Sequence, residues 1–433
     1  MKLSLFKVIL LGVFGFAAVI GLFVFATHTG SKTSSTDVGP VTIWGTLPKA
    51  SIQDTLITLA QTDAAYKSVS YVEKDPATLP TELASAIATG NAPDLVLDSQ
   101  ENLLALRKYI TTIPSAQLSQ STFTNAFIGA ANILQAPDGY YGIPFLVDPL
   151  ALFSNRSILA SAGVAESPST WESLAGLVPR IATLTSSRQI TRGLIGLGTY
   201  SNVHNASGIL SALLLQQQVP ISMYNSGGIL GADLGTATQN GVSPGTAVLA
   251  FYTQFADPSK LSYTWNLSLP DSRQAFLQGD VALYLGYISE ARYFQNANPN
   301  LDFGVSILPQ PGLATVKSTY GRLYSFIIPH GAKNSAGAYT VAVEFTTSAS
   351  QKALAQSTGL APVMRAELAN PPAEAVASVA YSEALYTHVW LSTTAASTDT
   401  VFSAMIGNVI SGRLTRDTAL TAAEHTLSTL LQP

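Results

Sequence analysis

One stretch near the N-terminal end of the chain alternates between strand and helix patterns, and this alternation constrains the fold more than any other feature. Val41–Trp44 and Ser68–Val72 have the β-branched and aromatic composition of short strands. Ile52–Tyr66 and Thr81–Thr89 place apolar residues at helical spacing, and Ala92–Asp98 has the apolar centre of a fully buried strand. Strand, helix, strand, helix and strand in this order predict an α/β fold with a parallel sheet covered by helices.

A second α/β series follows further along the chain. The capping-box pattern Ser169–Glu172 predicts a helix start, and Ser222–Gly245, rich in Gly, Ser, Asn and Thr, predicts surface loops. Short apolar runs predict further strands at Leu150–Phe153, Leu194–Leu197, Val281–Leu285, Phe303–Leu308 and Leu323–Ile328.

Length and composition exclude several classes of protein. A chain of 433 residues is long enough for two lobes of ordinary size. With 47% hydrophobic and 11% charged residues it is not a disordered chain. The net charge of −4 lacks the basic footprint of nucleic-acid binding. The absence of cysteine excludes disulfides and thiolate metal ligands, and the five scattered histidines predict no metal site.

The N-terminus predicts a membrane segment. Lys2 and Lys7 precede the uncharged run Val8–Ala26, which as a helix would span about 28 Å, close to the apolar thickness of a bilayer. The lysines should stay cytoplasmic, so that everything after the small, polar stalk Thr27–Gly39 lies outside. We favour an uncleaved N-terminal transmembrane helix as anchor at the extracellular face of the cytoplasmic membrane. Export after signal cleavage remains open, and both place the protein outside the cytoplasm.

Several segments carry a resemblance through their order along the chain. They are Pro93–Asp98, Tyr141–Phe145, Ala151–Arg156, Pro168–Leu174, Ala275–Leu283 and Phe303–Pro309. Together they resemble the family 1 extracellular solute-binding proteins, the family that contains maltose-binding protein. Each segment alone is weak, but the correct order over almost the whole chain after Val41 is specific.

The resemblance implies a two-lobed periplasmic-binding-protein type II fold with hinge crossovers. The crossovers are expected near Asp148–Leu150, Tyr324–Phe326 and Leu360–Val363. Residues 1–40 then form the anchor and stalk, residues 41–148 with 326–360 form lobe 1, and residues 149–325 with 361–433 form lobe 2. The implied function is capture of a solute, expected to be a sugar, for the permease subunits of an ABC importer. We expect a monomer without cofactor or metal.

Residues that follow the first strands are candidates for the ligand site. Ligands of open α/β sheets bind beyond the carboxyl ends of the strands, which places Trp44, Thr46, Asp98 and Ser99 at one rim. A sugar requires aromatic platforms and fixed polar groups, which Trp44 and Asp98 could supply. Packing of Trp44 in the core, and helix capping by Asp98 or Ser99, remain equally open.

Three more candidates come from the resemblance. Asp148 matches the position where sugar-binding relatives often carry a cleft carboxylate, although the following Pro149 also allows a simple turn. Tyr287 follows Gly286 where relatives often have tryptophan, so an ordinary stacking residue is missing there. Tyr324 lies near the expected second crossover.

Two other function classes remain open at this point. An extracellular glycoside hydrolase would need two carboxylates across the scissile bond, and Asp98, Asp148 and Glu290 could supply them, although no spacing selects a pair. A structural surface protein would explain an anchor but not the alternation of strands and helices.

Overall fold

A computed structural model describes residues 38–238, 241 and 243–432. The predicted membrane segment Val8–Ala26 and almost all of the stalk lie outside the described residues. Within the part that the structure describes, no helix combines the length and apolarity needed to cross a membrane.

The strands are mostly short, with one long exception. They are β1 Val41–Gly45, β2 Val69–Glu73, β3 Leu95–Ser99, β4 Ile113–Pro114, β5 Gln135–Ala136, β6 Gly139–Tyr140, β7 Ile143–Asn155, β8 Thr183–Leu184, β9 Ile190–Ile195, β10 Ile221–Tyr224, β11 Leu230–Asp233, β12 Val281–Tyr287, β13 Phe303–Ser306, β14 Thr319–Ile327, β15 Ala361–Pro362 and β16 Thr387–His388.

The α-helices cover the strands and make up most of the C-terminal region. They are α1 Lys49–Thr62, α2 Leu79–Ala88, α3 Leu103–Leu106, α4 Gln120–Ala126, α5 Arg156–Ser161, α6 Glu172–Ile181, α7 Ala206–Gln216, α8 Pro244–Thr253, α9 Ser272–Gln278, α10 Glu290–Ala297, α11 Ser335–Glu344, α12 Ser348–Thr358, α13 Arg365–Leu368, α14 Ala375–Tyr386, α15 Ala395–Ile410 and α16 Arg416–Leu431. Short 3₁₀ helices occupy Ala64–Tyr66, Gln100–Asn102, Arg107–Tyr109, Gly129–Leu134 and Gln254–Ala256.

The main sheet is mixed rather than purely parallel. Its strands lie in the order β2-β1-β3-β14-β7-β12-β9-β8. The predicted α/β alternation is confirmed, because β1 pairs in parallel with both β2 and β3. The strand β14 then runs antiparallel to β3 and β7, and β12 runs antiparallel to β7 but parallel to β9. We call β2, β1 and β3 the first half-sheet, and β12, β9 and β8 the second.

The strand β7 passes from one half-sheet to the other. Its residues up to Pro149 pair with β14, and from Leu150 onward they pair with β12 and β13. All 13 of its residues are buried, as in a strand covered on both faces. The sequence pattern predicted only Leu150–Phe153, because Pro144 and Pro149 interrupt the apolar run and each removes a ladder donor.

An aromatic cluster packs beside each half-sheet. Phe145, Phe326 and Phe345 meet beside the first half-sheet, with ring centroids 4.8 to 5.9 Å apart. Phe276 and Phe294 meet at 5.0 Å beside the second. Each fully buried ring contributes roughly 1.5–3 kcal/mol of transfer free energy. These clusters anchor the strands whose ends carry the site.

Two local predictions need correction. The helix α6 begins at Glu172 as predicted, but no side chain caps it. Ser169 instead accepts a backbone hydrogen bond from Gln310 at 3.0 Å, so the capping-box interpretation is wrong. The predicted loop Ser222–Gly245 contains the antiparallel hairpin of β10 and β11 and the start of α8, because Ile221 and Leu230 are buried and fix the hairpin on the core.

Candidate functional site

A pocket of about 370 Å³ lies where the carboxyl ends of β1 and β3 and the middle of β14 meet the N-terminus of α15. Four predicted residues line it: Thr46, Asp98, Ser99 and Tyr324. The opposite wall comes from the segment Thr394–Asp399, close to the C-terminus. Of the side chains expected at one rim, the structure brings Thr46, Asp98 and Ser99 together in this pocket, and Tyr324 lies with them.

Asp98 is the most constrained of the lining groups. One carboxylate oxygen accepts hydrogen bonds from Thr46 Oγ1 at 3.1 Å and from the backbone N–H of Ser99 at 2.8 Å. The other oxygen accepts one from Asn102 Nδ2 at 2.9 Å. Burial raises the pKa of Asp98 to about 6, although these three hydrogen bonds act in the opposite direction. Because a carboxylate has about four acceptor sites, capacity remains for a donor in the pocket.

An ion pair that the sequence analysis missed shares the pocket with Asp98. Arg322 Nε donates to one oxygen of Glu101 at 3.1 Å, and the Tyr320 hydroxyl donates to the other at 2.9 Å. Both Glu101 and Arg322 line the pocket. Glu101 could have been found, because it lies two positions beyond Ser99. Arg322 had no sequence signal, since the pairing of β14 with β3 and β7 places it there.

Tyr287 lies directly behind this ion pair. The Arg322 guanidinium lies 4.0 Å from the centroid of the Tyr287 ring, in the geometry of a cation–π contact. Tyr287 is buried and does not line the pocket itself. Its hydroxyl lies so close to Gly208 that a Cβ there would be 2.6 Å from the oxygen. The ring therefore supports Arg322, which covers the face that a ligand would need for stacking.

Asp148 lies outside the pocket and joins two strands. It is buried on β7, and its carboxylate accepts hydrogen bonds from Ser289 Oγ at 2.7 Å and from the Ser289 N–H at 3.1 Å. Burial raises its pKa to about 6. Because Ser289 follows β12, this contact ties the midpoint of β7 to the end of the second half-sheet.

Trp44 lies apart from the other candidates. Its half-buried ring has the Lys74 ammonium 4.0 Å from its centroid, and Lys74 also forms an ion pair with Glu82 at 2.7 Å. Trp44 does not line the pocket. A stacking role for Trp44 stays a prediction, and its present neighbour is a lysine of its own half-sheet.

A second, open pocket of about 680 Å³ adjoins the first at Asp399, which lines both. The Tyr200 hydroxyl donates to the Asp399 carboxylate at 2.5 Å. His204 and Asp271 also line it, with 3.4 Å between the His204 ring nitrogen and the Asp271 carboxylate. The two pockets together form a polar depression, which we call the cleft, on both sides of the N-terminus of α15.

Two of the three carboxylates considered for hydrolysis, Glu290 and Asp148, form internal hydrogen bonds. Glu290 accepts hydrogen bonds from Asn205 at 2.7 Å, from the Tyr287 N–H at 2.9 Å and from the Tyr284 hydroxyl at 2.5 Å. Neither Glu290 nor Asp148 lines the pocket that contains Asp98. Within the described residues, no group of three or more His, Asp and Glu side chains could hold a metal ion.

Comparison with known proteins gives a family and a fold. The sequence profile of a family described as bacterial extracellular solute-binding protein matches residues 60–380. No curated protein matches the chain at a significant level.

Several solved structures are similar in fold. The GacH receptor of Streptomyces glaucescens, solved unliganded and with acarbose, has a TM-score of 0.69 at 16% identity and covers 90% of this chain and 98% of its own. A cyclic α-maltosyl-1,6-maltose binding protein from Arthrobacter globiformis has 0.72 at 17%, covering 91% and 99%. The sugar-binding protein MalE from Xanthomonas citri has 0.71 at 16%, covering 90% and 97%.

Proposed function

Because the chain belongs to the bacterial extracellular solute-binding proteins, we propose that it captures a carbohydrate in the cleft and delivers it to the permease subunits of an ABC importer. Membership of a family of binding proteins sets aside the extracellular hydrolase that the sequence left open. The observation that carries the proposal is the pocket at the ends of β1 and β3, which Asp98 and Thr46 line from one side and Asp399 from the other.

The chemistry of the cleft suits an uncharged polyhydroxylated guest. Asp98 and Asp399 offer acceptors, and Tyr324 offers an aromatic surface. The positive charge of Arg322 is compensated by Glu101, so no free cation in this pocket favours an anionic ligand. Sugars need such fixed polar groups beside apolar faces. The sugar receptors of similar fold support the same ligand class.

The proposed lobes follow the expected boundaries. Residues 41–148 with 326–360 form lobe 1, which contains the first half-sheet, and residues 149–325 with 361–433 form lobe 2, which contains the second. The change of partners in β7 at Pro149 and Leu150 supports a hinge there. A ligand that touches Asp98 on lobe 1 and Asp399 on lobe 2 would shift the equilibrium toward closure.

Thermal unfolding of the full chain with a panel of sugars tests the proposal. A carbohydrate that binds should raise the unfolding temperature with concentration, as mass action requires. Thr426→Ala is a suitable control that should show the same shift as the wild type, because Thr426 is exposed on α16 and lines neither pocket of the cleft. The same samples should release no reducing ends. A panel of mono- and oligosaccharides without any shift, or the release of reducing ends, would contradict the proposal.

The proposed location is the extracellular face of the cytoplasmic membrane, with Val8–Ala26 as the anchor. We propose that the protein acts there as a monomer. Membrane fractionation and the intact mass of the exported chain test this location. Recovery in the soluble fraction, with a mass that lacks residues 1–26, would show that the segment is a cleaved signal.

A further inference from the structure

A cavity of about 580 Å³, distinct from the cleft, lies between α10, α12 and α14. Its floor is apolar and includes the buried residues Ile288, Ala355, Leu360 and Tyr381 together with half-buried Val376. Its volume lies within the range of small-molecule sites, which combine an apolar lining with few polar groups. The cavity therefore has the form of a binding site, and no residue of the cleft takes part in it.

The cavity lies on the other side of the strand end that supports the cleft. Tyr287, the last residue of β12, contacts Arg322 of the cleft, whereas the next residue, Ile288, lines the cavity. The Ile288 N–H donates to the carbonyl of Pro149 at 2.9 Å, and Ser289 holds Asp148. The segment 287–289 therefore separates the two cavities and is tied to the point where β7 changes partners.

The mouth of the cavity is lined by two cations, Lys352 and Arg292, and by the carboxylate of Glu374. Arg292 donates to the carbonyls of Gln356 and Ser357 at the C-terminal end of α12, a position that favours a cation. The side chain of Lys352 is 58% exposed and forms an ion pair with Glu367 at 3.2 Å, whereas Arg292 pairs with no carboxylate among the described residues. The carboxylate of Glu374 already accepts hydrogen bonds from the N–H groups of Val376 and Ala377 at 2.9 and 2.7 Å.

We propose that this cavity binds a small amphipathic anion, with its apolar body on Ile288, Leu360 and Tyr381 and its anionic head beside Arg292. The walls come from α10, which follows the second half-sheet, and from α12, which packs on α1 of the first. Occupancy therefore fixes the relative position of the two halves and is coupled to the cleft. The proposal that the cavity is a binding site does not depend on the proposed function. Only the coupling between the cavity and the cleft rests on it.

Titration of the full chain with anilinonaphthalene sulfonate tests the site, because the probe joins an apolar body to one sulfonate. With the wild type, the fluorescence of the probe should contain a saturable, blue-shifted component. Ala377→Trp places an indole in the cavity from a half-buried position on α14 and should abolish that component. Ala353→Trp adds the same indole at an exposed position of α12 outside the cavity and should leave it unchanged. Equal binding by all three proteins would overturn the site.

The preference for an anion has its own test. Lys352→Glu should weaken sulfonate binding by about threefold, as expected for an exposed charge. The neutral probe phenylnaphthylamine has the same rings without the sulfonate and should bind more weakly to the wild type than the anion does. Equal affinities of the two probes, or an unaltered affinity in Lys352→Glu, would overturn the anionic class of ligand.

The coupling is measured with the sugar identified by thermal unfolding. Saturating sulfonate should change the affinity of that sugar by about fivefold or more in the wild type, and the sugar should change the affinity of the sulfonate by the same factor. Ala377→Trp should abolish both effects. An unaltered sugar affinity would overturn the coupling. Absence of any sugar binding would instead contradict the proposed function, because the probe titration does not depend on it.

Discussion

Two buried aspartates, Asp98 at the end of β3 and Asp148 in the middle of β7, share the same physical chemistry but occupy different positions. Burial raises the pKa of each carboxyl to about 6, and hydrogen bonds to each act in the opposite direction. The donors to Asp98, including Thr46 and Asn102, come from its own half of the molecule, and Asp98 lines the pocket. The donor to Asp148 is Ser289, beyond β12, and Asp148 does not line the pocket.

The difference shows that a raised pKa alone does not identify a ligand-binding carboxylate. Perturbed groups occur both at functional sites and in structural networks, and only the position relative to the cavity separates the two. We therefore expect Asp98 to act mainly on solute affinity and Asp148 mainly on the connection between the half-sheets. Four measurements test this difference between the two aspartates.

The largest expected effect concerns pH, and here both aspartates should behave alike. Each folded pKa of about 6 lies above the ordinary value of 3.8. As the pH rises from about 4 to about 6, the unfolded carboxyl loses its proton while the folded one keeps it, so stability falls by about 3 kcal/mol per group. Asp98→Asn and Asp148→Asn should each flatten the pH dependence of the free energy of unfolding measured with urea.

Glu383 adds to the same slope in every variant. Burial raises its pKa to about 8, so its contribution spans an overlapping range of pH. The difference between the wild type and each Asn variant isolates one aspartate. A slope that only one of the two variants flattens would mean that the environments of Asp98 and Asp148 differ in the folded state.

The second measurement compares solute affinity. Asp98→Ala should weaken sugar binding by about 30-fold, since it removes a charged acceptor worth about 2 kcal/mol from the pocket. Asp148→Ala should weaken it by about threefold or less, as its carboxylate faces Ser289. Isothermal titration calorimetry with the sugar measures the loss of affinity in both variants. Equal losses would show that Asp148 also touches the ligand and would remove the contrast.

The third measurement removes one donor from each aspartate. Ser289→Ala leaves the backbone N–H on Asp148 and should lower the free energy of unfolding by about 1.5 kcal/mol without a change in sugar affinity. Thr46→Val, the matched change beside Asp98, should lower both stability and affinity. In a double-mutant cycle of Ser289→Ala with Asp148→Ala, the losses in free energy of unfolding should be non-additive. Additive losses would mean that the hydrogen bond between Ser289 and Asp148 contributes nothing.

The smallest effect is expected at Lys74. Lys74→Met removes the cation from the Trp44 ring and the exposed ion pair with Glu82, which should cost about 0.5–1 kcal/mol of stability. Sugar affinity should not change, because Trp44 does not line the pocket. A higher sugar affinity in Lys74→Met than in the wild type would instead indicate that Lys74 competes with the sugar for the Trp44 ring.

The sequence predicted the parts of the site that depend on single strands. Because the side chains that follow a buried strand must lie at its carboxyl end, Asp98 and Ser99 could be placed at a rim, and Thr46 with them. Tyr324 followed from the family resemblance. The partners of Thr46, Asp98 and Ser99 could not be predicted in this way, since Arg322 and Asp399 reach the pocket from segments more than 200 positions away from these three residues in the chain.

Local pattern and tertiary structure therefore decided different things about this protein. The alternation of strands and helices and the class of fold follow from the sequence, because apolar periodicity and the order of segments are local properties of the chain. In the folded protein, Asp98 faces a cavity while Asp148 faces Ser289, and Arg322 covers Tyr287, and no local pattern indicated these contacts. These contacts depend on which strands pair with each other. Strand pairing is set by the burial of apolar residues that are distant in the chain, and not by local sequence pattern.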